Sequence, residues 1–260
     1  MKLKEKITGL LAVAMVLSSH IAAFQVYAEA NRNPYTEIIL EPKRTAAGID
    51  YDVYIEHSSS LSTLMLTMDF STAEKGTMSL ADNACFDISH SEWSNDNHAS
   101  LKAYMGRTGQ KTGFSSDSKI KVAHISIPID ISTVGNVTAT VSGAICAGVM
   151  QTDSDALKGT VTVPGQPISY AIRECSVLSF DKNKVNILSS NNRTADVIYA
   201  LYDTQGRFVK MHKENIELKQ GENKISSDGI TFGQAETVSV MIWDGIDSMR
   251  PLADKTTINN

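Results

Sequence analysis

Apolar and polar residues alternate one by one through the segment from Gly48 to Phe70, GIDYDVYIEHSSSLSTLMLTMDF. Tyr51, Val53 and Ile55 stand between Asp52, Tyr54 and Glu56. Beyond a Ser-rich break, Leu64, Leu66, Met68 and Phe70 stand between Met65, Thr67 and Asp69. Successive side chains of a strand point to opposite faces, so this pattern predicts two strands joined by a short turn, each with one face on a core and one toward water. On that parity Tyr54, Met65 and Thr67 face outward. An outward Tyr and Met on a flat sheet are candidate contacts for a partner protein.

The same grammar fills the rest of the chain. TEIILEP predicts a first strand closed by Pro42, and TMSL, ACFDI and SLKAYMG predict further strands. HSEWSNDNH, from His90 to His98, and the Gly-rich stretch from Arg107 to Ser118 are expected as loops. In KIKVAHISIPID the apolar parity switches between Val122 and Ile125, which predicts a β-bulge at Ala123-His124. Pro128 cannot donate to a ladder, so it is expected at an edge or beyond the last pair. NVTATVSGAI and GTVTV complete a first domain over 35–163. Pro164, Gly165 and Pro167 then give 164–170 the chemistry of a linker. Over 171–260 the strand pattern resumes with CSVLSF, KVNILSS, ADVIYALYD, FVKMHK, NIELK, NKISS and TVSVMIW, at the spacing of an antiparallel sandwich. Asp203-Thr204-Gln205-Gly206 is expected to form a hairpin turn with a positive φ at Gly206. The predicted fold class is therefore all-β, with two β-sandwich domains and no helix beyond the leader.

Residues 1–28 have the make-up of a secretory signal peptide. Lys2, Lys4 and Lys6 precede an apolar run, and Val26-Tyr27-Ala28 supplies small residues two apart at a cleavage site after Ala28. The apolar run is short against the roughly 20 residues of a membrane span. The protein is thus expected outside the cell, secreted or held at the surface, with no membrane span after cleavage. Three Lys and one Glu leave with the leader, so the net charge falls from -5 to -7. Such a surface argues against nucleic acid as a partner, because the phosphate backbone is gripped by clustered Lys and Arg. The three cysteines, Cys85, Cys146 and Cys175, allow one internal bridge. Cys85 with Cys146 is the pair inside one expected domain; the alternative is three buried thiols acting as small hydrophobes.

Candidate chemistry is sparse. His90, Glu92, Asp96 and His98 crowd together around Trp93, but their spacing is loose for a zinc site, which wants His at helical or hairpin spacing plus a third ligand. A solvated loop is the plainer reading of that segment. Trp93 flanked by polar residues, together with Tyr104, is a candidate platform for stacking a sugar ring. Asp153-Ser154-Asp155 lacks the further ligands and the Gly of a calcium loop. No G-x-S-x-G elbow, phosphate-cradling glycine loop or paired carboxylates for glycoside hydrolysis occur. No cofactor, no metal and no catalytic activity are therefore expected. His124 is expected to be partly buried and hydrogen-bonded. Trp243, opposite in parity to Val238, Val240 and Ile242, is expected to be covered by Met249, Pro251 and Leu252.

The order of parts over about 35–163 resembles the cohesin modules of secreted bacterial polysaccharide-degrading complexes. The resemblance is carried by TEIIL, the Gly-led GIDYDVYIEHS, LSTLMLTMDF, a long irregular middle, and SKIKVAHISIPI followed by VTATVSG. It implies a nine-stranded jelly-roll-like sandwich whose flat face docks another protein, a dockerin-like module among the partners, in a setting of polysaccharide breakdown or surface attachment. The region from Ala200-Leu201-Tyr202-Asp203 to Val238–Asp244 and Met249, Pro251 and Leu252 resembles a C-terminal immunoglobulin-like module of exported proteins of Gram-positive anaerobes. A non-catalytic docking protein is the function these resemblances imply. Direct binding of carbohydrate is the alternative.

Overall fold

The computed structural model describes residues 35–57, 61–82, 86–95, 97–108, 116–148, 160–181, 184–227, 235 and 237–259. The expected leader, Cys85, Asp96 and Asp153-Ser154-Asp155 lie outside the described residues. Every regular element among the described residues is a strand.

The alternating segments form strands in the expected order, except ACFDI, where Phe86 and Asp87 lie outside any strand and only Ile88 belongs to one. The first ten are β1 (Tyr35–Arg44), β2 (Gly48–His57), β3 (Leu61–Phe70), β4 (Thr77–Leu80), β5 (Ile88–Ser94), β6 (Ser100–Gly106), β7 (Ser116–Pro128), β8 (Gly135–Gly148), β9 (Thr160–Thr162) and β10 (Ile168–Ile172). They make two five-stranded sheets, β4-β7-β2-β1-β9 and β10-β8-β3-β6-β5. One hydrophobic core lies between them, built from the inward residues of both: Ile49, Tyr51, Val53 and Ile55 from one sheet, and Leu64, Leu66, Met68, Phe70 and Leu101 from the other. Each such buried side chain stabilises by about 1.5–3 kcal/mol relative to leaving it exposed, so the period-two pattern fixes which face of each strand turns in.

Seven more strands follow: β11 (Cys175–Asp181), β12 (Lys184–Ser189), β13 (Arg193–Tyr202), β14 (Phe208–Leu218), β15 (Gly221–Ser226), β16 (Thr237–Trp243) and β17 (Thr256–Asn259). They form a three-stranded sheet, β11-β12-β15, and a four-stranded sheet, β14-β13-β16-β17. A second core, with Val185, Ile187, Val197, Tyr199, Val240 and Ile242, lies between those two sheets. Gly206 takes φ 72° in the turn between β13 and β14, as expected, and its N–H donates to the Asp203 carbonyl at 2.9 Å.

Several expectations are revised. His90 and its neighbours are not a loop: β5 pairs with β6 from Ile88↔Gly106 to Ser94↔Ser100, because backbone pairing satisfies groups that composition alone assigns to solvent. β1 runs past Pro42, which pairs with Tyr51. The opposite neighbour, β9, reaches only Tyr35 to Glu37, so no donor is demanded of Pro42 there. The bulge falls one residue earlier than expected. Val53 pairs with Ala123 and Tyr54 with Lys121, so Val122 is the extra residue, and Val122 and Ala123 are both buried. FVKMHK and NIELK join as the single strand β14. The end of the expected linker is a strand: β10 pairs with β8 and Ile172 belongs to the first core.

Candidate functional site

The outward residues of the β10-β8-β3-β6-β5 sheet form cross-strand rows. One row runs Ile145, Met65, Tyr104, His90, set by the pairs Met65↔Ile145, Met65↔Tyr104 and His90↔Tyr104. The His90 ring stacks on Tyr104 with centroids 6.3 Å apart. The next row is Gly143, Thr67, Lys102, Glu92. On the other side Ile88 lies across Gly106 from Thr63. Ile88 is 52% exposed and Ile145 44% exposed, so the face has an apolar band with His90, Glu92 and Lys102 beside it. His90 Nε2 lies 3.3 Å from Glu92 Oε1, a contact open to water and of small energetic weight.

The outward face of the β4-β7-β2-β1-β9 sheet has a different character. His124 sits between two carboxylates, Nδ1 at 2.7 Å from Asp52 and Nε2 at 3.3 Å from Asp50. Lys121 reaches Asp52 at 2.6 Å, Lys119 pairs with Glu41, and the Lys119 ammonium lies 4.2 Å from the Tyr54 ring centroid. Burial pushes the Asp52 carboxyl up, but hydrogen bonds from Lys121 and His124 outweigh it and hold the group below the usual carboxylate range. His124 Nε2 also lies 3.2 Å from Ser126 Oγ. The Ser126 hydroxyl donates to Asp50 at 2.7 Å, so that arrangement is a closed ion-pair and hydrogen-bond network rather than a nucleophile aimed at a substrate. His124 is thus partly buried and hydrogen-bonded as expected, although it forms an ordinary pair with Asp52 rather than standing in the bulge.

The five candidate contact residues do not form one site. Met65, Thr67 and Tyr104 share the outer face described first. Tyr54 lies on the outer face of the other sheet, on the far side of the core. Trp93 points inward: it stacks on Phe70 with centroids 5.8 Å apart and 28° between ring planes, and it packs against the first core. Its parity within β5 puts it there, opposite to His90 and Glu92. Phe70 therefore covers one face of a half-buried indole. His98 turns to Asp69 at 3.6 Å, away from His90 and Glu92. Among the described residues no group of three or more His, Cys, Asp and Glu side chains is placed to hold a metal.

Cys146 is buried. Cys175 is a buried thiol 3.7 Å from the Ser189 hydroxyl, and burial raises its pKa. Trp243 is half-buried, and its backbone forms a bridge with that of Pro251. Leu252 instead enters the second core, and Met249 is 69% exposed. No local pattern signals Asp196, whose side chain is buried in β13. It accepts from Asn215 at 2.8 Å, the Ile246 N–H at 2.7 Å and Lys213 at 3.4 Å. The Asn215 hydrogen bond is the main cause of its lowered pKa.

No protein-family model matches the chain, and no curated protein matches it. Among solved structures it is similar to the seventh ScaB type I cohesin from Pseudobacteroides cellulosolvens, at 6% identity over 53% of this chain and 92% of that one, with a TM-score of 0.39. It is similar to CaCohA2 from Clostridium acetobutylicum, at 14% identity over 54% of this chain and 92% of that one, with a TM-score of 0.36. The type II cohesin dyad from the adaptor ScaA scaffoldin of Acetivibrio cellulolyticus matches at 9% identity over 86% of this chain and 93% of that one, with a TM-score of 0.33.

Proposed function

We propose that this chain is a secreted, non-catalytic docking or scaffolding protein, and that its partner is another secreted or cell-surface protein seated on the outer face of the β10-β8-β3-β6-β5 sheet. The observation that carries the reading is the contrast between the two outer faces. One face spends its charges on internal pairs around Asp50, Asp52, His124 and Lys121. The other leaves Ile145, Met65, Tyr104 and Ile88 as an apolar band, rimmed by His90, Glu92 and Lys102. An apolar, aromatic centre with a polar rim is the make-up of protein interfaces, and a Tyr near the middle of such a band is a common energetic anchor.

The module that supplies the face is the one expected at 35–163, extended by the pairing of β10. The strands from Cys175 onward form an accessory module. The setting of polysaccharide breakdown or surface attachment, and a dockerin-like module as partner, rest on the resemblance in strand order. Carbohydrate binding loses its main sequence support because the Trp93 ring stacks on Phe70.

Titration calorimetry of the purified protein against calcium-loaded dockerin modules and against soluble cello-oligosaccharides tests the reading. Binding to protein, lost in Met65→Asp and kept in Tyr54→Ala, is expected. Protein binding that survives Met65→Asp, or glycan binding in its place, overturns it.

A further inference from the structure

The strand β14 is the outer strand of its sheet, paired to β13 on one side. At eleven residues it is the longest edge strand among the described residues, against seven for β5 and β11, and although Val209 forms a bulge, Lys210–Leu218 keep one unbroken register with β13. Natural edges are usually short, bulged or covered, because a long row of unpaired N–H and C=O groups templates another strand. Here the edge also carries Phe208 at 60% exposure, Val209 at 55% and Met211 at 47%. Three large apolar side chains within four positions are more than the scattered surface hydrophobes of an ordinary sheet.

The order of charges along the strand selects the occupant. Lys210 and Lys213 lie in the half that begins with Phe208, while Glu214 and Glu217 lie toward Leu218. Two copies related by a two-fold axis perpendicular to the sheet run antiparallel, and such an axis keeps every side chain on its own face, so opposed residues must have the same parity. With His212 opposite His212 of the second copy, Lys210 faces Glu214, twice, and Phe208 lies beyond the bulge at Val209, toward Ile216 of the second copy. Sliding by one step puts Lys213 against Lys213, while one step the other way puts Met211 against itself, Lys210 against His212 and Phe208 against Glu214, so that no opposite charges meet. Like charges directly opposed are destabilising, while opposite charges and aromatic–β-branched pairs are favourable. Lys210 forms no ion pair or side-chain hydrogen bond among the described residues, whereas Glu214 is within 2.8 Å of His212 and accepts from Ser227, which fixes its carboxylate.

We propose that β14 pairs antiparallel with β14 of a second copy of this chain, centred on His212, so that the β14-β13-β16-β17 sheet continues through a two-fold dimer. This would place the first modules of two chains in one particle, and it does not depend on the docking face described above.

The test is sedimentation velocity and light scattering on the purified protein, with thermal unfolding as the control for folding. The expected result is a particle of twice the chain mass that falls to the single-chain mass in Lys210→Glu, which opposes Glu214, and in Met211→Lys, which opposes Lys213, with each variant unfolding near the wild-type temperature. Under mild oxidation His212→Cys is expected to give a covalent dimer on a non-reducing gel that the wild type does not give. A wild-type protein of single-chain mass at its highest soluble concentration overturns the proposal. So does a dimer that both folded charge variants leave intact.

Discussion

The Tyr51 ring lies 5.6 Å from the Phe70 ring at an interplanar angle of 56°, and this contact joins the two sheets of the first sandwich across their core. Tyr51 is fully buried, yet its hydroxyl has no hydrogen-bond partner among the described residues. A buried hydroxyl without a partner costs roughly 1–3 kcal/mol of desolvation. Tyr51→Phe is therefore expected to raise stability by about 1 kcal/mol, read from denaturant midpoints.

The same burial pushes the Tyr51 pKa up to about 12. The unfolded chain ionises near pH 10, so above that pH it binds fewer protons than the folded chain, and stability falls as pH rises from about 10 toward 12. In Tyr51→Phe that part of the alkaline loss is expected to vanish. An unchanged profile of unfolding temperature between pH 9 and 12 would count against the buried, neutral tyrosine.

Asp196 gives the opposite dependence. Its hydrogen bonds from Asn215 and the Ile246 N–H hold its pKa below the usual carboxylate value, so the stability it contributes is present above about pH 4 and is lost as pH falls further. Asp196→Ala should destabilise at pH 7, and the gap from wild type should narrow in a pH series below 4. Asn215→Ala should reproduce part of the effect.

Trp93→Ala should lower stability by about 2–3 kcal/mol, somewhat less than for a fully buried aromatic, because the half-buried indole leaves Phe70 without its stacking partner. No effect on affinity for soluble glycans accompanies this loss. An intact unfolding temperature with altered glycan binding would show instead that the indole turns outward.

Tyr104→Ala should weaken binding of a protein partner by at least 2 kcal/mol with little change in unfolding temperature, since the ring lies on the outer face under His90. Tyr54→Ala, on the opposite face beneath Lys119, should leave partner affinity unchanged. Equal losses from both substitutions would contradict a single docking face.

Gly48 stands where a Cβ would come within 1.9 Å of the Ile127 carbonyl oxygen. Gly48→Ala therefore forces the backbones of β2 and β7 apart, a cost at the upper end of ~1–3 kcal/mol for overpacking. At Gly165, by contrast, an added Cβ meets nothing within 4 Å, so Gly165→Ala should be neutral or slightly stabilising. Denaturant midpoints of the two variants distinguish the positions.

The outward parity of Met65 and Thr67 was legible because a strand's period is two, and three strict alternations leave little freedom. That Tyr54 lies on a different surface was not legible. Its parity is as clear, but parity names a face of one strand and says nothing about which sheet that strand joins. Trp93 was misplaced for a related reason. Its polar neighbours suggest a loop, whereas the pairing of β5 with β6 makes them the outward half of a strand and turns the indole in. The network of Asp50, Asp52, His124 and Ser126 joins residues more than 70 positions apart, and no local pattern brings them together.

By itself the sequence determined the strand content, the inward residues of each strand and the Gly206 turn, because those follow from side-chain alternation and from backbone sterics over a few neighbouring residues. The tertiary structure decided which strands are neighbours, and therefore that Ile145, Met65, Tyr104 and His90 stand in one row while Tyr54 stands behind them. It also decided that β14 is left at an edge. Strand order is set by the free energy of closing a whole core between two sheets, a sum over contacts distant in sequence, and no single segment encodes it.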